Sequence, residues 1–273
     1  METPSTIRPR PLALITGASA GLGAEFARAY AKRGCDLALV ARRRDRLEAL
    51  AAELATAHQV EAVAIVCDLA RFGAERAVLD EVGQRRPAGV DILVNNAGYS
   101  IPQSFAAVPW ERQRDFLMTL IVSACGLAHG VIPGMVARGG GSIINVASLA
   151  GFAPGMAGHS LYPAAKSFAI KFSESLSEEY GPRGIRVTAL CPGFTHTEFA
   201  LANGTQAIMD ASPRLFFQTP GPVIETAIRA NARGKVIVTP GWHNQAAAFL
   251  LRYVPEPILK AVIRAGSARF HLE

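Results

Sequence analysis

"LALITGASAGLGAEFARAYAKRG", residues 12–34, is the stretch on which the fold turns. An apolar run, Leu12 to Thr16, ends at a turn carrying Gly17, Gly21 and Gly23. Helically spaced apolar residues follow and stop at Gly34. A strand that enters a glycine-rich turn and leaves as a helix opens a βαβ unit. Glycine permits the tight turn. The free N–H groups at the helix N-terminus attract an anion such as a pyrophosphate. Ser19 and Leu22, between the glycines, join the residues expected to touch that ligand. The spacing is TGxxxGxG, not GxGxxG.

The same alternation continues along the chain. Further buried strands read at "DLALVA" (36–41), "EAVAIVCDL" (61–69), "VDILVNNAG" (90–98), "SIINVAS" (142–148), "IRVTALCPG" (185–193) and "KVIVT" (235–239). Helical patterns lie between them, at 44–57, 71–85, 109–137, 160–181 and 222–233. The strands are short, apolar and mostly not alternating, as in parallel strands covered on both faces. The expected fold is α/β: a Rossmann-like, doubly wound parallel sheet of about seven strands in one domain. Residues 10–193 would form the core. Residues 194–219 read as a substrate loop or lid, and 220–273 as a final helix, strand and C-terminal tail. Ligands of such sheets bind beyond the carboxyl ends of the strands, so the turns there should share one crevice.

The end of the second strand bears on the ligand. A protein holding the adenosine 2′-hydroxyl of NAD wants an acidic residue there. This chain has "VARRR" instead. Ala41 leaves room, and the planar guanidinium of Arg42 or Arg43 suits a 2′-phosphate, which points to NADP(H). Arg44 and Arg46 read as the solvated start of the next helix. Asp68, followed by Leu69, is placed to accept from an adenine amino group or to cap the next helix. In "NNAG", the small residues Ala97 and Gly98 would let a ribose approach, and Asn95 can tie adjacent strands together.

Ser148 ends the fifth strand, and Tyr162 follows in "LYPAAKS" with Lys166 four residues on. Residues four apart share a helix face. A phenol beside an ammonium group is drawn from its usual pKa of about 10 toward the range useful for proton transfer. Ser148 can hydrogen-bond a substrate oxygen and polarise a carbonyl.

The composition bounds the alternatives. The chain has 273 residues, 50% of them hydrophobic and 18% charged, enough for a sizeable core. The net charge of +6 is not gathered on one element, so no nucleic acid partner is expected. No uninterrupted apolar run approaches the roughly 18 residues of a membrane span, and the N-terminus lacks a signal-like apolar stretch. Four scattered cysteines without CxxC spacing fit a reducing, cytoplasmic setting, and no metal is expected.

Taken in order, "TGASAGLG", "NNAG", "NVAS", "YPAAK" and "PGFTHT" make the chain resemble the short-chain dehydrogenase/reductase family, single-domain type, over nearly its whole length. The resemblance implies that Tyr162 is the general acid/base and that Ser148 orients the substrate oxygen. Lys166 would hold the nicotinamide ribose and lower the tyrosine pKa. It places Pro192, Gly193, Thr195 and Thr197 against the nicotinamide, with contact to the carboxamide through the Thr195 backbone and the Thr197 hydroxyl. It also implies a homodimer or homotetramer packed through the long helices. The family usually has an asparagine near position 120, supporting a water-linked relay to the lysine. Leu120 stands there, which is expected to lower turnover without abolishing it.

The apolar residues Phe152, Met156, Phe199, Met209, Phe216 and Phe217 are expected to wall a pocket for a hydrophobic ketone, aldehyde or secondary alcohol. His159 reads as a cap or pocket residue more readily than as a second acid. The tail has helical spacing punctuated by Arg252, Lys260, Arg264 and Arg269. It is expected to dock on the body or a partner subunit, with peripheral membrane contact as a second reading. The competing functional reading is a non-catalytic dinucleotide sensor or scaffold of the same fold. Leu120 supports it, and the intact Ser148, Tyr162 and Lys166 argue against it.

Overall fold

Strand β1 (Leu12–Thr16) is buried at all five positions, which explains its unbroken apolar run. Leu12 and Leu14 enter one packing layer, with Leu93, Leu127 and Met135. Ala13 and Ile15 enter the other, with Phe26, Leu39 and Ile224. Both layers are covered by helices, the arrangement a parallel sheet requires.

The structure, a computed structural model, describes residues 10–155, 157–198 and 217–267, with side chains to residue 261. The chain runs β1, α1 (Gly21–Ala31), β2 (Asp36–Ala41), α2 (Arg44–His58), β3 (Ala62–Val66), α3 (Ala74–Arg85) and β4 (Ile92–Asn95). Then come α4 (Trp110–Leu117), a π turn (Met118–Val122), α5 (Ser123–Ala137), β5 (Gly141–Val146), α6 (Leu161–Tyr180) and β6 (Ile185–Leu190). The final elements are α7 (Pro220–Ala232), β7 (Ile237–Val238), α8 (Trp242–Tyr253) and α9 (Glu256–Ser267). One seven-stranded parallel sheet has the order β3-β2-β1-β4-β5-β6-β7. Successive strands run outward from β1 in one direction and then from β4 in the other. The switch point between β1 and β4 therefore opens the crevice at the carboxyl ends.

The fourth, fifth and sixth strands end earlier than read, at Asn95, Val146 and Leu190, and three further boundaries differ. The third strand stops at Val66, because Asp68 turns the chain by accepting from the Ala70 N–H at 3.2 Å. The last strand is only Ile237–Val238. The long helix read over 109–137 is continuous from Trp110 to Ala137 but contains the π turn, which an apolar pattern does not reveal.

By length and composition that 28-residue helix is apolar enough to cross a membrane, with a mean hydropathy of 1.8 in its most apolar window. Its C-terminal part, α5, packs on β4 and β5 with Leu127 and Met135 fully buried, while Phe116 of α4 is buried in a separate cluster with Ile101 and Val108. Cys35 and Cys191 are buried, and all four cysteines are free thiols.

The region after β6 is clipped at its ends. Thr195 pairs with Gln218 in an isolated parallel bridge, the His196 N–H donates to the Gln218 carbonyl, and the Gln218 N–H donates to the Phe194 carbonyl. Most of the expected lid, including Phe199, Met209 and Phe216, lies outside the described residues, as does Met156.

Candidate active site

Geometry at the glycine turn accounts for each glycine. Gly17 has φ +66°, and a Cβ there would lie 2.8 Å from Asn96 Nδ2. A Cβ on Gly23 would stand 2.3 Å from the Gly17 carbonyl oxygen. Gly21, with φ +56°, opens α1 and lies against Thr197. The first turn of α1 carries no acidic side chain, so no carboxylate competes there for its N–H groups. A bare helix N-terminus beside a glycine turn, facing Thr197 across the crevice, fits a dinucleotide pyrophosphate.

Asn96, which the sequence reading passed over, locks this turn. Its side-chain amide donates to the carbonyls of Thr16 at 2.9 Å and Gly17 at 3.3 Å. The Thr16 hydroxyl accepts from the N–H groups of Asn96 and Ala97 and donates to Val94. The doubled asparagine in "NNAG" was the available signal: Asn95 and Asn96 point to opposite sides of the chain and do different work. Asn95 ties β4 to its surroundings, donating to Asn145 Oδ1 at 2.9 Å and to the Ala124 carbonyl at 3.2 Å. Asn145 in turn donates to Ser173 Oγ on α6 at 2.9 Å. Gly98 lies against Leu120, which would stand 3.3 Å from an added Cβ.

At the end of β2, Arg43 Nε donates to Ser19 Oγ at 3.2 Å, which brings the arginine to the glycine turn. Arg43 also pairs with Glu198 at 3.2 Å, and Arg46 pairs with the same carboxylate at 2.7 Å. Arg46 is therefore not a merely solvated helix residue; α2 turns it back toward the crevice. Arg44 does lie on the outer face, paired with Glu48 one helical turn on. Arg42 is exposed and has no ion pair among the described residues. Asp68 caps its own turn, and buried Leu69 accepts from the Ser123 hydroxyl at 2.7 Å.

Ser148, Tyr162 and Lys166 converge beyond the carboxyl end of β5. A hydrogen bond joins the Ser148 and Tyr162 side chains, and Ser148 Oγ also accepts from the Ala150 N–H at 3.1 Å. Lys166 is 7% exposed and donates from Nζ to the Val146 carbonyl at 2.8 Å. Its ammonium lies over the face of the Tyr162 ring, 5.6 Å from the centroid. Burial pushes the phenol up to about 12, opposed by the Ser148 hydrogen bond. Burial also holds Lys166 down at about 8, against the nearby Cys191. At the phenol, loss of hydration outweighs the Ser148 hydrogen bond, so Tyr162 stands above its ordinary value of about 10.

Pro192 accepts from the Leu149 N–H at 3.1 Å, joining the loops after β5 and β6. A Cβ on Gly193 would fall 2.3 Å from Asn244, so α8 packs directly on this loop. The Asn244 amide donates to Gln218 and to the Pro240 carbonyl. The start of the tail thus docks on the body, while Trp242, Phe249 and Tyr253 stay exposed. Thr195 Oγ1 donates to the Gly193 carbonyl at 3.2 Å.

The apolar wall is only partly where it was expected. Phe152 packs with Ala147, Ile170, Ala189 and Cys191, under the guanidinium of Arg252 at 5.1 Å from its ring. The apolar surroundings of Tyr162 come instead from Ile101, Phe116, Leu120 and Ala165, flanked by Tyr99 and Leu161. Phe217 stacks on His196 and Phe194 beside the clip. His159 lies 3.4 Å from Ser100 Oγ, and burial lowers its pKa, so it bridges two loops as a neutral ring. Leu120 lines a cavity of about 20 Å³ together with Asn95, Thr119, Asn145 and Lys166. That volume accommodates one water.

Known proteins resemble this chain in sequence and in fold. A sequence profile of short chain dehydrogenases matches residues 11–207. An uncharacterized oxidoreductase of Myxococcus xanthus (strain DK1622) is 33% identical over 256 residues, covering 92% of this chain and 96% of its own length. A short-chain dehydrogenase from Sphingobium yanoikuyae, solved in complex with NADPH, is 34% identical and superimposes with a TM-score of 0.79 over 92% of this chain and 95% of its own. The bulky-bulky ketone specific alcohol dehydrogenase from Comamonas testosteroni is 30% identical, with a TM-score of 0.74 over 90% of this chain and 95% of its own.

Proposed function

This chain belongs to the short-chain dehydrogenase family, and from that premise we propose that it is an NADP(H)-dependent carbonyl reductase or alcohol dehydrogenase acting on a hydrophobic ketone, aldehyde or secondary alcohol. The observation that carries the reading is the convergence of Ser148, Tyr162 and Lys166 beyond the carboxyl end of β5, at the same edge of the parallel sheet as the glycine turn after β1.

Gly17, Ser19, Gly21, Leu22 and Gly23 would hold the pyrophosphate. Arg42 and Arg43 would hold the 2′-phosphate, and Asp68 and Leu69 would border the adenine. Asn95, Ala97 and Gly98 would border the ribose, and Pro192, Gly193, Thr195 and Thr197 the nicotinamide. The bound cofactor supplies or accepts the hydride. Ser148 holds the substrate oxygen, and the Tyr162 phenol gives that oxygen a proton as a carbonyl becomes an alcohol. A phenol that keeps its proton at neutral pH is prepared for reduction; oxidation needs it ionised and gains from higher pH. Lys166 provides positive charge beside the ring and a place for ribose hydroxyls.

The NADPH-bound relative supports the cofactor assignment, and the ketone-specific relative supports the substrate class. Tyr162 packs against an apolar cluster that includes Ile101, Phe116 and Leu120, which suits an apolar substrate. Exposed Val122 and Phe168, on the two long helices, suit packing against a second copy.

The test is loss of NADPH absorbance against a panel of apolar ketones and aldehydes, with NADH in parallel and Tyr162→Phe as control. Turnover with NADPH that disappears in the variant is the expected result. Tight NADPH binding without turnover on any carbonyl would favour the non-catalytic cofactor-binding role instead.

A further inference from the structure

Glu198 lies 155 residues from Arg43 in sequence and meets it across the crevice. One carboxylate oxygen accepts from Arg43 Nη1 at 3.2 Å. Both oxygens accept from Arg46 Nη1, at 2.9 Å and 2.7 Å. Arg43 meanwhile donates to Ser19 within the glycine turn. Thr197, the neighbour of Glu198, lies against Gly21 of that turn. The carboxylate is therefore seated between two guanidinium groups beside the turn, an arrangement that an anionic phosphate would also satisfy.

We propose that Glu198 is a built-in counter-ion that competes with the cofactor's 2′-phosphate for Arg43 and Arg46, and so sets the preference between NADP(H) and NAD(H). The inference rests on the NADP(H) reading above. A phosphate reaching Arg43 has to share or displace the Glu198 carboxylate, and the two anions repel each other. A cofactor without that phosphate leaves the ion pairs intact. The opposition therefore falls on NADP(H) alone, and Glu198 narrows the discrimination the arginines would otherwise give. The side chains are about half exposed, so the effect is moderate and screened by salt.

The experiment is calorimetric titration of wild type and Glu198→Gln with NADPH and, separately, NADH. The variant is expected to bind NADPH about threefold to tenfold more tightly, with NADH affinity within about twofold of wild type. NADPH affinity that stays the same or weakens in the variant would overturn the proposal. So would equal tightening of both cofactors. A wild type that binds NADH at least as well as NADPH overturns the NADP(H) preference itself. The selective change in the variant still judges Glu198 in that case.

Discussion

The two banks of the crevice carry similar charged groups under opposite conditions. On the β1–β2 bank, Arg43, Arg46 and Glu198 are all about half exposed. On the β5–α6 bank, Lys166 is 7% exposed, and its ammonium has a carbonyl and a ring face as partners, with no carboxylate among the described residues. Water screens the first group, so its pairs are weak and exchangeable, as a site for a diffusible phosphate needs. The second group is deprived of water, so proton affinities move and the geometry is held by a buried polar ladder from Asn95 through Asn145 to Ser173. Under the proposed function, cofactor preference would be adjusted on the wet bank and proton transfer prepared on the dry one.

The largest expected effect tests the dry bank. Tyr162→Phe should lower kcat roughly 100- to 10,000-fold, the scale of a lost general acid, while NADPH affinity changes little. A comparable loss of NADPH affinity would mean that Tyr162 organises the cofactor site rather than the proton.

Next in size is a pH effect on stability. Lys166 is held down at about 8, so between pH 8 and 10 it is neutral when folded and protonated when unfolded. The unfolded state then binds more protons, and stability rises with pH by about 2–3 kcal/mol over that window. Tyr162 acts in the opposite sense above pH 10, because its folded-state value is raised to about 12. Denaturant unfolding of wild type and Lys166→Met across pH 8 to 10 isolates the lysine from the thiols. The difference between the two proteins should climb with pH. A flat difference would place the lysine in water and erase the contrast between the banks.

Gly23→Ala tests whether backbone crowding shapes the wet bank. Its Cβ would press on the Gly17 carbonyl at 2.3 Å, and a backbone atom cannot swing aside. About 1–3 kcal/mol of stability should be lost, with weaker binding of NADPH and NADH alike. The smallest effect is the selective tightening expected for Glu198→Gln. A common change in one variant and a selective change in the other would separate the turn's shape from its charge.

Much of this was legible in the chain. The unbroken run Leu12–Thr16 and the glycines behind it gave the parallel sheet and its first turn, because burial on both faces removes alternation. Tyr162 and Lys166 were readable as a pair because four residues span about one helical turn. The packing of Phe152 on Ala147, Ile170 and Cys191 was not readable, because an apolar side chain near the serine does not say what it will rest against. Arg46 misled because its partner is 152 residues away. The π turn over Met118–Val122 leaves the apolar pattern of the long helix unchanged and so left no trace in it.

Local order is what the sequence determined by itself: which segments are strands, which turns follow them, and which residues share a helix face. Those properties depend on backbone sterics and on periodic burial, and both are written in neighbouring residues. Tertiary structure alone decided the rest. It set Asn96 over the glycine turn and Glu198 between two arginines, and it dried out Lys166 until its proton affinity fell. Such properties depend on distances between segments and on how much water each group loses, and these exist only once the sheet has closed its layers.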